Sequence, residues 1–322
     1  MMRVLCVLLS LLLCLSMTAC QPNSPDEPEV DTSDSSENKS AYRPLLYEVT
    51  DEDGSRVWLF GSIHVGDESM VPFPSYVTKA YEEADALAVE CDVLEADAEL
   101  SAKLFSMMGK SMYKDGSKIQ DHVDPQVYED AKEVLQLHNL YSSIYDSYSP
   151  IIWWLLLQDV MIAQTGYDPQ YGVDMQLLTE AHYTDKPVME IESVDEQYEM
   201  LFGFSHEIQE MLLEETVDGM NQPFGKLGMR MLLQAWKSGD EEFLVMMLNS
   251  EAEGLSDEDA LLYEEYDRMM VRDRNVLMTD FAEDMLTSDQ EVFICVGAAH
   301  VVGDDAMADL LEERGYTVKL VQ

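Results

Sequence analysis

Two short segments near opposite ends of this 322-residue chain are written in one pattern. FGSIHVGDESM runs from Phe60 to Met70, and VGAAHVVGDDAM runs from Val296 to Met307. Each reads glycine, two residues, histidine, an apolar step and then Gly-Asp. Each also follows a short run of strand type, Val57–Phe60 and Val292–Val296. An echo that joins the two ends argues for one domain closed by both of them. Gly61 and Gly297 stand three residues before His64 and His300, where a residue without a Cβ lets the backbone turn sharply or approach a ligand. Gly66 and Gly303 then end the turn.

Other strand-like runs are expected at 45–49, 86–89, 187–191 and 317–321, rich in Val, Leu, Ile and aromatics. Helical patterns lie between them. Ser193 and Glu196 form a capping box that opens VDEQYEMLF. IIWWLLLQDVMIA, from Ile151 to Ala163, is apolar nearly all round and too short to span a bilayer, so it predicts a buried helix. A methionine-rich helical region over roughly 195–287 reads as core. The expected class is α/β: a central mixed or mostly parallel sheet flanked by helices, with a largely helical middle insertion.

The two ends of the chain differ in kind. Residues 1–20 carry Arg3, an apolar run from Val4 to Leu13 and the exit LSMTAC. This is the pattern of a secretory signal, and Met17-Thr18-Ala19-Cys20 resembles a bacterial lipobox with Cys20 as the lipidated residue. Residues 21–41 are Pro-, Ser- and acid-rich and cannot bury enough apolar surface to offset ordering, which predicts a disordered tether. The expected location is the extracytoplasmic face of a cell membrane, held by lipid alone. The formal charge is −45, which excludes nucleic acid as a partner, because phosphate contacts need a basic surface. Cys91 and Cys295 remain in the folded part, in apolar runs; two buried thiols are the default, and whether they pair stays open.

In open α/β sheets, reactive groups gather where strands end. A lone histidine in such a place is more often a satisfied loop residue. The shared frame of His64 and His300 favours a built site. Glu90, in ALAVECD, closes another apolar run at the same level. Glu192, in KPVMEIES, repeats that arrangement less strongly, since Ser193 beside it already serves as a helix cap. Two imidazoles and a carboxylate make a common ligand set for a divalent metal that turns water into a nucleophile. The same groups without metal are a general base and acid. No Gly-x-Ser-x-Gly elbow and no His-Glu-x-x-His helix is present, which removes support for serine hydrolases and zincins.

At these residues the chain resembles the TraB/GumN family, which includes the Tiki proteases, over most of 42–322. WLFGSIHVGD carries the first motif, LAVECD the glutamate, and VGAAHVVGDDAMADLLEERGYTV the last motif. YGVDMQLLTEAHYTDKPVMEIESVDEQ is similar to the family's central segment, with Asp174, Glu192 and Gln197 on its polar positions, and RDRN to a further segment carrying Arg274 and Asn275. The resemblance implies an α/β fold and, from the animal members, metal-dependent peptide hydrolysis with manganese or cobalt; zinc is the alternative metal. It makes His64, His300 and Glu90 the metal ligands and catalytic residues, Glu90 being either third ligand or base. Glu192, Arg274 and Asn275 become supporting or substrate-contacting residues. The expected function is therefore a lipid-anchored, metal-dependent hydrolase acting on a peptide, with a small molecule as the alternative substrate. Two rivals stand beside it: a metal-free His/Glu hydrolase of the esterase kind, and a non-catalytic lipoprotein that captures a metal, haem or peptide signal.

Overall fold

The computed structural model describes residues 42–95, 98–222, 225–248, 256–288 and 290–321. The leader, Cys20 and the tether expected over 1–41 lie outside the described residues. The folded part opens with β1 (Leu46–Thr50), β2 (Arg56–Ser62), α1 (Ser75–Glu83) and β3 (Ala86–Val89). Then come α2 (Ala98–Lys110), α3 (Pro125–Leu137), α4 (Pro150–Thr165), α5 (Val173–Thr184) and β4 (Val188–Glu190). Five more helices follow: α6 (Val194–Phe202), α7 (His206–Asn221), α8 (Gly225–Ser238), α9 (Glu241–Leu248) and α10 (Asp257–Asp267). A π turn, Arg268–Arg272, leads directly into α11 (Asp273–Leu286). The chain closes with β5 (Val292–Gly297), α12 (Ala298–Val301), α13 (Met307–Glu313) and β6 (Thr317–Val321).

The six strands form one mixed sheet in the order β4-β3-β5-β2-β1-β6. The first four are parallel, and β1 is antiparallel to both β2 and β6. This is the expected α/β architecture, with a helical insertion between β3 and β5 that, among the described residues, is interrupted only by β4. The central strands β3 and β5 are buried at every position, as strands covered by helices on both faces must be. Each fully buried Val, Leu, Ile or Phe there contributes roughly 1.5–3 kcal/mol. The edge strand β6 is mostly exposed.

The all-round apolar character of α4 has a structural reason. Ile151, Ile152, Trp154 and Leu155 pack in one cluster with Leu201, Ile208 and Tyr266, while Trp153, Leu157 and Val160 pack in another with Val127, Ala131 and Leu213. The helix is the partition between two cores. Among the described residues no helix is long and apolar enough to cross a membrane. The insertion is tied to the sheet by Trp236 of α8, whose buried indole N–H donates to the Gly61 carbonyl at 2.7 Å. Cys91 and Cys295 are both buried, and no disulfide joins them.

Of the two roles expected of Gly61 and Gly297, a sharp turn or a close approach, the structure shows the close approach. Neither Gly61 nor Gly297 takes a positive φ, so neither turns the chain in a way closed to other residues. Gly61 lies inside β2, and a Cβ on it would stand 3.0 Å from the Ala298 Cα. Its role is close approach of β2 to α12. Of the four motif glycines only Gly303 is left-handed, at φ 109°.

Candidate functional site

The parallel part of the sheet delivers its polar residues in strand order. β4 runs out to Glu192, β3 to Glu90, β5 to Gly297 and then His300, and β2 to His64. The register Ser62↔Gly297 in the parallel pair β2/β5 sets the two Gly-x-x-His segments side by side, although the whole insertion separates them in sequence. The Glu192 backbone N–H donates to the Glu90 carbonyl at 2.9 Å, which continues the β3/β4 pairing past its last strand residue.

Glu90 is the centre of a buried network. Its Oε1 accepts from the Gly297 backbone N–H at 2.7 Å, and its Oε2 accepts from Arg274 Nη2 at 2.6 Å and Gln197 Nε2 at 3.2 Å. Burial alone would raise its pKa. Arg274, His300, His64 and the Gly297 N–H outweigh burial and hold it at about 2. The carboxylate is therefore ionised at every physiological pH, and it is a poor acceptor for a proton from water.

Arg274 reaches this centre because of the helix that carries it. The π turn Arg268–Arg272 precedes it, and the Met270 carbonyl within that turn accepts from Arg274 Nη1 at 3.1 Å. Nη1 also donates to His300 Nε2 at 3.1 Å, Nη2 to Glu90 and Glu192, and Nε to Glu192 at 2.8 Å. A guanidinium has five N–H donors, and all five are committed. Arg274 thus has none left for a substrate and acts by fixing its neighbours. Burial works against its charge, but Glu90 and Glu192 raise its pKa and keep it a cation.

The two imidazoles are prepared differently. His300 Nδ1 is 2.7 Å from Asn275 Oδ1, and Asn275 Nδ2 donates to the Asp305 carbonyl at 2.9 Å, which fixes the amide so that its oxygen faces the ring. The Nδ1 nitrogen therefore carries the proton, and Nε2 keeps its lone pair. Burial, joined by Arg274, pulls the His300 pKa down to about 3, so the ring is neutral and its 4.0 Å approach to Glu90 is not an ion pair at pH 7. His64 Nδ1 lies 2.5 Å from Asp174 Oδ2, and neither atom has another partner. Burial opposes protonation of His64, yet Asp174 and Glu90 raise its pKa. Gly172 makes this approach feasible: a Cβ there would stand 2.4 Å from the His64 carbonyl oxygen. The Val173 N–H also donates to the Ile63 carbonyl at 2.9 Å, pinning the start of α5 beside the motif.

The three groups face one point. A Cβ on Gly297 would stand 3.2 Å from Glu90 Oε1, 3.6 Å from His300 Cδ2 and 3.7 Å from His64 Nε2. Around that point the donor types, two imidazoles and a carboxylate, are those of a divalent-cation ligand set. Both imidazoles have Nδ1 against an oxygen and Nε2 free of the main chain, the usual preparation of a ligating histidine. Glu90, Glu192 and Asp174 outnumber Arg274, the single fixed cation. Two features stand against immediate occupancy. The donor atoms of His64, Glu90 and His300 do not all lie within 4.8 Å of one another, and Arg274 Nη1 occupies the His300 lone pair.

Of the residues singled out in the sequence, His64, Glu90, His300, Glu192, Arg274, Asn275 and Gly297 meet in this network, while Gly61 supports it from within β2. Asp174 and Gln197 entered the sequence reading only through the resemblance; here they contact His64 and Glu90 directly. Gly172 was missed. Its one signal is a glycine immediately before the helix that brings Asp174.

A comparison with protein families matches residues 45–320 to the TraB/PrgY/gumN family. The chain is also 29% identical over 145 residues to the uncharacterized protein YbaP of Escherichia coli K12, covering 44% of this chain and 50% of the relative. The same figures hold for YbaP of Shigella flexneri. The chain thus spans about half the length of the curated relatives it matches. No solved structure matches it. With nearly the whole folded part matched, the chain belongs to the TraB/PrgY/gumN family.

Proposed function

We propose that this chain is a lipid-anchored, extracytoplasmic hydrolase that uses a divalent metal to cleave a peptide bond. The observation that carries the reading is the pair of imidazoles from opposite ends of the chain, each with Nδ1 against an oxygen, standing around Glu90. His64 Nε2, His300 Nε2 and Glu90 Oε1 would hold the ion. A bound divalent cation supplies a Lewis acid and lowers the pKa of water to near neutrality. Glu90 serves as ligand and fixed negative charge rather than as base, since its pKa of about 2 makes proton uptake unfavourable. Asp174 and Asn275 orient the rings, and Arg274 holds Glu90 and Glu192 in place.

A second reading rests on Arg274. With its Nη1 on His300 Nε2, that lone pair is already used. His64, paired with Asp174, is then the general base, taking a proton from water at Nε2 while Asp174 stabilises the imidazolium. This is a metal-free hydrolase with Asp174, rather than the expected Glu90, as the partner of His64.

The test is metal content and peptide-library cleavage for the chelator-stripped protein, resupplied with Mn, Co or Zn, and for His64→Ala, His300→Ala and Glu90→Gln. Metal-dependent hydrolysis predicts loss of metal and turnover together in all three. Full activity of the stripped wild type would establish the metal-free hydrolase instead. Tight binding of metal or peptide with no cleavage would identify a capture protein. The anchor is tested separately: Cys20→Ala should release the chain from membranes.

A further inference from the structure

We propose that Asp92, Glu95 and His182 form a second divalent-cation site, best suited to zinc, in the groove beside the network of Glu90. The chain past β3 continues from Glu90 to Asp92, and the short turn Val93–Glu95 brings Glu95 round to the same side. His182 comes from the last turn of α5. One donor atom from each of the three lies within 4.8 Å of the others, the one such trio of His, Cys, Asp and Glu among the described residues. Imidazole nitrogen and carboxylate oxygen are both zinc ligands.

The site is built rather than incidental. Asp92 is 4% exposed, its Oδ1 accepts from the Leu94 N–H at 3.0 Å, and its backbone N–H donates to Glu190 Oε1 at 2.7 Å. Its remaining oxygen, Oδ2, stands 2.7 Å from His182 Nε2. Two donors on one tetrahedral zinc lie about 3.3 Å apart, so the pair needs to open by only about half an ångström. Glu95 and His182 border a groove of about 330 Å³, leaving room for water as a fourth ligand. That groove also holds Asp185 and Glu190, and its one lysine does not neutralise them. The Lys186 ammonium donates to the Ala84 carbonyl and lies 4.8 Å from the Tyr81 ring centroid. The negative charge of the groove is therefore left for a cation. None of these residues belongs to the site assigned to hydrolysis, so the two proposals stand or fall apart.

Zinc titration calorimetry on the chelator-stripped full chain tests this. His64→Ala, which disables the first site, should still take up one zinc. His182→Ala should lose that zinc, and Glu95→Gln should weaken it by at least ~10-fold. Both substitutions are at exposed or part-exposed side chains, and circular dichroism checks that each variant is folded. The proposal is overturned if His182→Ala and Glu95→Gln titrate like the wild type, or if His64→Ala takes up no zinc.

Discussion

Replacing Arg274 with methionine tests how the site is held. Methionine keeps much of the apolar stem and removes all five N–H groups. Glu90, buried, and Glu192, part-buried, are then left without their cation. Breaking a buried pair from one side costs about 3–5 kcal/mol. A second route gives a similar figure. Glu90 is displaced from its ordinary value of 4.5 to about 2, which corresponds to roughly 3 kcal/mol. The sign follows from linkage: a carboxyl with a depressed folded pKa contributes stability above its unfolded pKa and loses it as pH falls toward about 2. Without Arg274, the largest of the charges opposing burial, the Glu90 pKa rises. The variant should therefore be about 3–5 kcal/mol less stable at pH 7, and the gap to wild type should shrink by roughly 3 kcal/mol between pH 5 and pH 2. Urea unfolding followed by the fluorescence of the four tryptophans measures both proteins across that range. Comparing differences cancels the acid response of the other carboxylates in this −45 chain. A gap that stays constant from pH 7 to pH 2 would refute the argument, because Arg274 would then be compensating nothing that titrates.

Gly61→Ala puts a methyl 3.0 Å from the Ala298 Cα, so it should cost about 1–3 kcal/mol in urea unfolding; an unchanged midpoint would show that β2 and α12 can separate freely. Asp174→Asn removes the charge that raises the His64 pKa, so the imidazole midpoint followed by NMR should move to lower pH, and no movement would place Asp174 outside the control of His64. Asp159 on α4 has its pKa pushed up to about 6 by burial, so it costs stability as pH rises from about 4 through 6. Asp159→Asn should accordingly stabilise the protein at pH 7 and not at pH 4, as read from thermal unfolding at both values.

The repeated motif and the apolar runs made the strand content legible, because a strand buried on both faces needs a continuous apolar segment. Ala86–Val89 and Thr317–Val321 fall where expected. Val292–Gly297 and Arg56–Ser62 extend only one or two residues further at an end. The capping box at Ser193 was likewise readable, since its two hydrogen bonds join residues three apart. His64, Glu90 and His300 could be singled out because each closes or follows a strand, and strand ends share a level when the strands are parallel neighbours.

What sequence determined by itself is local: which segments alternate or run apolar, where helices are capped, and which polar residues stand at strand ends. Tertiary structure decided the partnerships. Nothing near Arg274 in the chain announces Glu90, 184 residues away, and nothing near Asp174 announces His64. It also decided what the motif glycines do, since Gly61 and Gly297 serve contacts made by Ala298 and Glu90 from other elements. The charge states follow the same division. An isolated glutamate and an isolated histidine titrate at their ordinary values; Arg274 and its neighbours send Glu90 to about 2 against burial, while burial joined by the same guanidinium sends His300 to about 3. The His300 shift comes first from burial and then from Arg274, the Glu90 shift from charges that overcome burial; both need groups brought together by the sheet order β4-β3-β5-β2, and that order is a property of the folded chain, not of any segment within it.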